Sequence, residues 1–146
     1  MILKLFKRLT EPAAESDPQR LVALAAAALL LEVSWADHDI SDAELAGIAR
    51  ALQRTFGLGE SETAELLDQS RQEHAESVGV YGYTRAINEN WDEPAKFELV
   101  VALWQLALSD DDLNSHEEHV IRKIADLLYL SHARFIEAKL KAKRNG

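Results

Sequence analysis

Cysteine is absent from the 146-residue chain. That excludes a disulfide framework and any thiolate metal site, and it fits a reducing, cytoplasmic setting. Proline and glycine are scarce, at three and six residues, so little punctuates the long periodic segments and helices are the economical reading. No alternating, period-two stretch argues for a strand. The longest uninterrupted apolar run, Leu21–Leu31, has eleven residues, whereas a bilayer-spanning helix needs roughly 20. No transmembrane segment is expected. Also missing are the glycine-rich phosphate loops and the G-x-S-x-G elbow, so nucleotide binding and hydrolase chemistry find no footing.

Acidic charge is abundant. The net charge is −9, and it is unevenly placed. All 25 acidic residues lie in 11–138, against nine of the 16 basic ones, which leaves that body at −16. Residues 1–10 hold Lys4, Lys7 and Arg8 without an acid, and the stretch from Lys139 holds Lys139, Lys141, Lys143 and Arg144 without one. A body this acidic repels phosphate backbones and attracts cations, so no nucleic-acid partner is expected. The sequence divides into a basic, amphipathic segment and linker (1–16), a helical domain (17–138) and a basic tail (139–146). The first ten residues lack the long apolar stretch and cleavage site of an export signal, but their pattern suits weak membrane-surface contact.

The spacing predicts an all-α, compact bundle of about seven helices. The first begins at Pro18, runs to about Trp35 and is apolar nearly all round, as a central buried helix is. A polar turn leads to a second helix, Asp42–Phe56, stopped by Gly57 and Gly59. A third is expected from Ser61 to near Ser77, a short fourth over Tyr81–Glu89, and a fifth from Asp92 to Leu108. A second acidic turn, Asp110–Asn114, precedes the sixth. Ser131 opens a seventh that frays into the basic tail.

Sliding the sequence against itself by 73 residues suggests an internal duplication of a helix–acidic turn–helix unit. Asp37, Asp39, Ile40, Glu44 and Ile48 fall on Asp110, Asp112, Leu113, Glu117 and Ile121. Leu30 and Val33, just before, fall on Leu103 and Leu106. Part of this pattern suits helix capping: Ser41–Glu44 and Asn114–Glu117 both have the capping-box spacing. Capping does not account for the aspartates ahead of each cap. They follow the C-terminus of a helix, where the macrodipole favours cations over carboxylates. Asp37, Asp39, Glu44, Asp110, Asp112 and Glu117 are therefore candidate oxygen ligands for Ca²⁺, Mg²⁺ or Mn²⁺, with Zn²⁺ less suited. They do not form EF-hands, because the sixth-position glycine and the final bidentate glutamate are both missing. Solvated, capped turns without a metal remain the other reading.

Ala36-Asp-His-Asp-Ile-Ser-Asp-Ala-Glu44 and Ser109-Asp-Asp-Asp-Leu-Asn-Ser-His-Glu117 resemble the repeated acidic motif of the TerB-like family, A-D-G-x-[I/L]-x-x-x-E. That family is named for tellurite-resistance proteins and is also represented in a DnaJ-like co-chaperone. The resemblance spans about Pro18–Ala138. It implies a seven-helix bundle with a duplicated core and an acidic face that binds metal, carried here by Asp37, Glu44, Asp110 and Glu117. Asp39 and Asp112 stand where family members vary, and His38 and Asp111 replace the usual glycine. The function this implies is that of a non-catalytic, metal-binding accessory or sensor in a stress response. The alternative is a protein-interaction module, linked to a co-chaperone or peripheral to a membrane, acting on an unidentified protein partner. His116 and His119 are three apart rather than the four of H-E-x-x-H, so no zinc-protease site is expected. Trp35, Trp91 and Trp104 are expected to fill the core or its rim; the alternative is that Tyr81, Tyr83 and Trp91, around the short fourth helix, form an aromatic contact site for such a partner.

Overall fold

The computed structural model describes residues 18–37, 40–76, 79–109 and 115–145. Among the described residues there are seven helices and no strand: α1 (Pro18–Asp37), α2 (Asp42–Phe56), α3 (Glu60–Ala75), α4 (Gly79–Asn90), α5 (Glu93–Ser109), α6 (Ser115–Leu127) and α7 (His132–Asn145). The all-α bundle read from the periodicity is the observed architecture.

Two helices carry the core. Every residue of α1 from Ala23 to Leu29 is buried, and so is every residue of α5 from Leu99 to Trp104. Such helices are covered on all sides, which is why neither shows a polar stripe. α1 packs against α2, α3, α4, α5 and α6, while α5 also takes α2, α6 and α7. The more amphipathic helices form the shell. α2 covers the core with Leu45, Ala51 and Leu52, and α6 with Val120, Ile121, Ile124 and Ala125.

Helix ends follow local chemistry. At the start of α2 the Glu44 N–H donates to Ser41 Oγ at 3.1 Å, and the Ser41 N–H donates back to Glu44 Oε1 at 3.3 Å. This is the expected capping box. Ser41→Ala should cost about 1 kcal/mol of stability, read as a shift in the denaturation midpoint. At the other end Gly57 adopts φ 68°, and its N–H donates to the Gln53 carbonyl. Only glycine enters that left-handed region without steric cost.

α6 ends the same way without a glycine. The Leu130 N–H reaches the Ala125 carbonyl and the Tyr129 N–H reaches that of Asp126, the paired bonds of a Schellman turn. Tyr129 therefore takes φ 62°, while its side chain is 82% exposed. A left-handed L-residue costs about 1–2 kcal/mol, and the exposed ring recovers little beyond Lys96 at 5.9 Å. Tyr129→Gly should stabilise the fold by roughly 0.5–1 kcal/mol, measurable as a raised melting temperature.

The C-terminal segment differs from expectation. α7 does not fray at Lys139 but continues to Asn145. Phe135, Ala138 and Ala142 form a buried stripe at the spacing of one helical face. Three of its cations pair with carboxylates of neighbouring helices: Arg134 forks onto Glu93 at 2.8 and 3.0 Å, Lys139 meets Glu118 at 3.3 Å, and Lys141 meets Glu98. The Arg134 guanidinium also holds the Glu93 carboxyl below the usual carboxylate range. These three thus clamp α7 to α5 and α6.

The aromatic contact site is likewise corrected. Tyr83 and Trp91 are buried at 1% and 6%, and only Tyr81 is open to solvent. Tyr81 and Tyr83 are two residues apart, which on a helix places them on nearly opposite sides.

Candidate functional site

The acidic turn begins where α1 ends, at Asp37, and closes at the Ser41 cap of α2. Of the six candidate ligands, Glu44 alone has a described side chain. It is exposed, and its carboxylate accepts the cap hydrogen bond. Asp37 is the last residue of α1 and Glu117 lies in the first turn of α6, but their side chains lie outside the described residues. Asp39, Asp110 and Asp112 lie wholly outside them, as do the glycine replacements His38 and Asp111. The described residues bring none of the six together. They do assign Glu44 a structural task, and they place Asp37 at the negative end of a buried helix dipole.

One turn back along α1, the bundle contains a polar cluster that sequence reasoning missed. Glu32 is 7% exposed in a helix that is otherwise apolar there. Both of its carboxylate oxygens face Nδ1 of His74, at 3.2 and 3.1 Å. The His74 ring stacks on Trp35, with centroids 5.0 Å apart and planes inclined by 27°. A carboxylate only accepts hydrogen bonds, so Nδ1 is the donor in this contact. His74 lies in the last turn of α3, so these contacts join the C-terminal ends of α1 and α3.

Beside His74 in sequence, Glu73 is 1% exposed and accepts a 2.5 Å hydrogen bond from the Tyr83 hydroxyl of α4. Tyr83 is pushed far above the usual phenol range. Burial is the first cause, followed by the hydrogen bond to Glu73, the charge of Glu73 and the charge of Glu32. Ser70, on the same face of α3 as His74 one turn earlier, is 2% exposed, and its hydroxyl has no partner among the described residues. A carboxylate inside an apolar bundle is costly unless hydrogen-bonded. Here His74 and Tyr83 provide the donors. The detectable signal was Glu32 itself, a charge on a helix apolar on every side, which has to find a partner.

A seven-helix bundle whose central helix runs from a buried carboxylate into an acidic, capped turn defines a class of small helical domain. The family described as Tellurite resistance protein TerB matches residues 23–140. That covers most of the chain, from within α1 to within α7, and the chain belongs to this family. No curated protein and no solved structure matches it. Among the described residues, no helix is long and apolar enough to cross a membrane.

Proposed function

We propose that this chain is a non-catalytic accessory or sensor of a tellurite-resistance-like stress response, and that it binds a divalent cation at its acidic turns. The observation that carries the reading is the end of α1 at Asp37. An aspartate at a helix C-terminus is electrostatically misplaced unless a cation or water compensates it. The capping box accounts for Ser41 and Glu44 but leaves Asp37 unexplained. Helix bounds give further support. α1 ends at Asp37 and α5 at Ser109, while α2 starts at Asp42 and α6 at Ser115, so the two acidic turns occupy corresponding places in the chain. Carboxylate ligands suit Ca²⁺, Mg²⁺ and Mn²⁺ better than Zn²⁺.

The test is a melting titration of the metal-stripped chain. An ion that binds the folded state alone stabilises it by about 2.7 kcal/mol at a hundred times its dissociation constant. Ca²⁺, Mg²⁺ or Mn²⁺ should therefore raise the melting temperature, and Asp37→Asn with Asp110→Asn should abolish the rise. If no ion shifts the transition, the metal role is wrong and the interaction module takes its place.

A further inference from the structure

α7 has two faces, and the bundle uses one of them. Phe135, Ala138 and Ala142 turn into the core, while Arg134, Lys139 and Lys141 are held by carboxylates of α5 and α6. On the far side of the helix, Ala133, Ile136, Leu140, Lys143 and Arg144 fall on one face by their spacing, and all five are exposed. Among the described residues Tyr81, Tyr129, Ile136 and Leu140 are the exposed large hydrophobics, and only Ile136 and Leu140, at 37% and 52%, share a helix. One turn apart, they form a continuous apolar row, unlike single exposed side chains, which need no explanation. Lys143 and Arg144 extend the row, and neither has an ion pair among the described residues. The macrodipole accounts for cations in the last turn of a helix, but not for the aliphatic side chains beside them. The single acid of α7, Glu137, is taken by Arg134 at 2.9 Å.

We infer that the outer face of α7 docks on an anionic lipid surface, with Ile136 and Leu140 entering the headgroup layer and Lys143 and Arg144 meeting lipid phosphates. Charge and shape select this occupant. An apolar row bordered by cations, on a helix lying along the surface, is the pattern of an interfacial helix. The face is the convex outer side of one helix, whereas a partner helix seeks a groove. Two aliphatic side chains also fall short of the aromatic, fully buried centre that carries protein–protein affinity. The acidic body does not prevent docking. The 20 residues of α1 span about 30 Å, and charges are screened beyond about 10 Å at 0.1 M salt, so acids across the bundle lie out of reach of the lipid. The contact is independent of any cation at the acidic turns.

The experiment sediments the full chain with vesicles of phosphatidylglycerol and phosphatidylcholine in equal parts, and with phosphatidylcholine alone. The expected result is binding to the anionic vesicles only, weakening as salt is raised. Lys143→Gln with Arg144→Gln should reduce it about fivefold for each cation removed. Ile136→Gln with Leu140→Gln should reduce it on the order of tenfold. All four residues are exposed and glutamine is a good helix former, so the melting temperature should hold. The control is Tyr81→Gln with Arg85→Gln, an exposed aromatic and cation four apart on α4, which should leave binding unchanged. Because the chain lacks cysteine, an environment-sensitive dye on the Ala133→Cys variant reports this face alone, and its emission should shift to the blue with anionic vesicles. A wild type that does not sediment with anionic vesicles overturns the inference. So does binding that ignores the α7 changes but is lost when residues 1–10 are deleted. A dye that responds to an acidic amphipathic peptide and not to vesicles overturns it too, and makes the face a protein-docking surface.

Discussion

Removing the imidazole altogether, with His74→Ala, should lower the unfolding free energy by about 2–3 kcal/mol. Breaking a fully buried pair by deleting one member costs about 3–5 kcal/mol, because the survivor is left charged and uncompensated. The lower figure applies because the His74 side chain is 39% exposed and water enters from that side, whereas Glu32 is shielded at 9%. The same difference predicts an asymmetry. Glu32→Leu strands the imidazole, which water can still solvate, so it should cost clearly less than His74→Ala. Replacing both residues by leucine should recover most of the loss, since apolar substitution of a whole buried pair is often neutral. Denaturant midpoints of the two single variants and the double variant, at constant slope, decide the matter. Equal costs for the two single changes would show that Glu32 is compensated by something other than His74.

The elements that sequence made legible were those fixed by neighbours in the chain. Ser41 and Glu44 are three apart and Gly57 follows Phe56 directly, so the bounds of α2 were visible in the local pattern and match the structure. The burial of α1 and α5 followed from their all-round apolar character. What stayed hidden depends on contacts between distant residues. Glu32 and His74 are 42 residues apart, and nothing local to His74 distinguishes it from the other histidines. The course of α7 is hidden from the local pattern for a related reason. Lysine and arginine after Lys139 suggest a solvated tail, but Glu93, Glu98 and Glu118, which pair with three cations of the helix, lie on α5 and α6. The stripe of Phe135, Ala138 and Ala142 was present throughout, although alanines at helical spacing are a faint apolar signal.

Tyr83 should make the fold sensitive to alkali. Its phenol is held protonated in the folded protein, chiefly by burial and then by the hydrogen bond and charge of Glu73, while in the unfolded chain it ionises near its ordinary value of about 10. A folded pKa above the unfolded one means that the stabilisation is complete below about pH 10. It is then lost as pH rises, because the unfolded state releases a proton the native state keeps. The slope is about 1.4 kcal/mol for each pH unit above that point. Tyr83→Phe removes this dependence, and it also removes one donor from a carboxylate that is 1% exposed. At neutral pH the variant should therefore be less stable by about 1.5–3 kcal/mol, the range for a hydrogen bond to a charged group. The gap should close as pH climbs past 10, so the wild-type and Tyr83→Phe stability curves converge there. Tyrosinate absorbance gives a second readout, since Tyr83 should ionise only together with loss of helical signal. A Tyr83 that titrates freely while the helices persist would mean that its hydroxyl reaches water, and that the contact with Glu73 does not close the junction of α3 and α4.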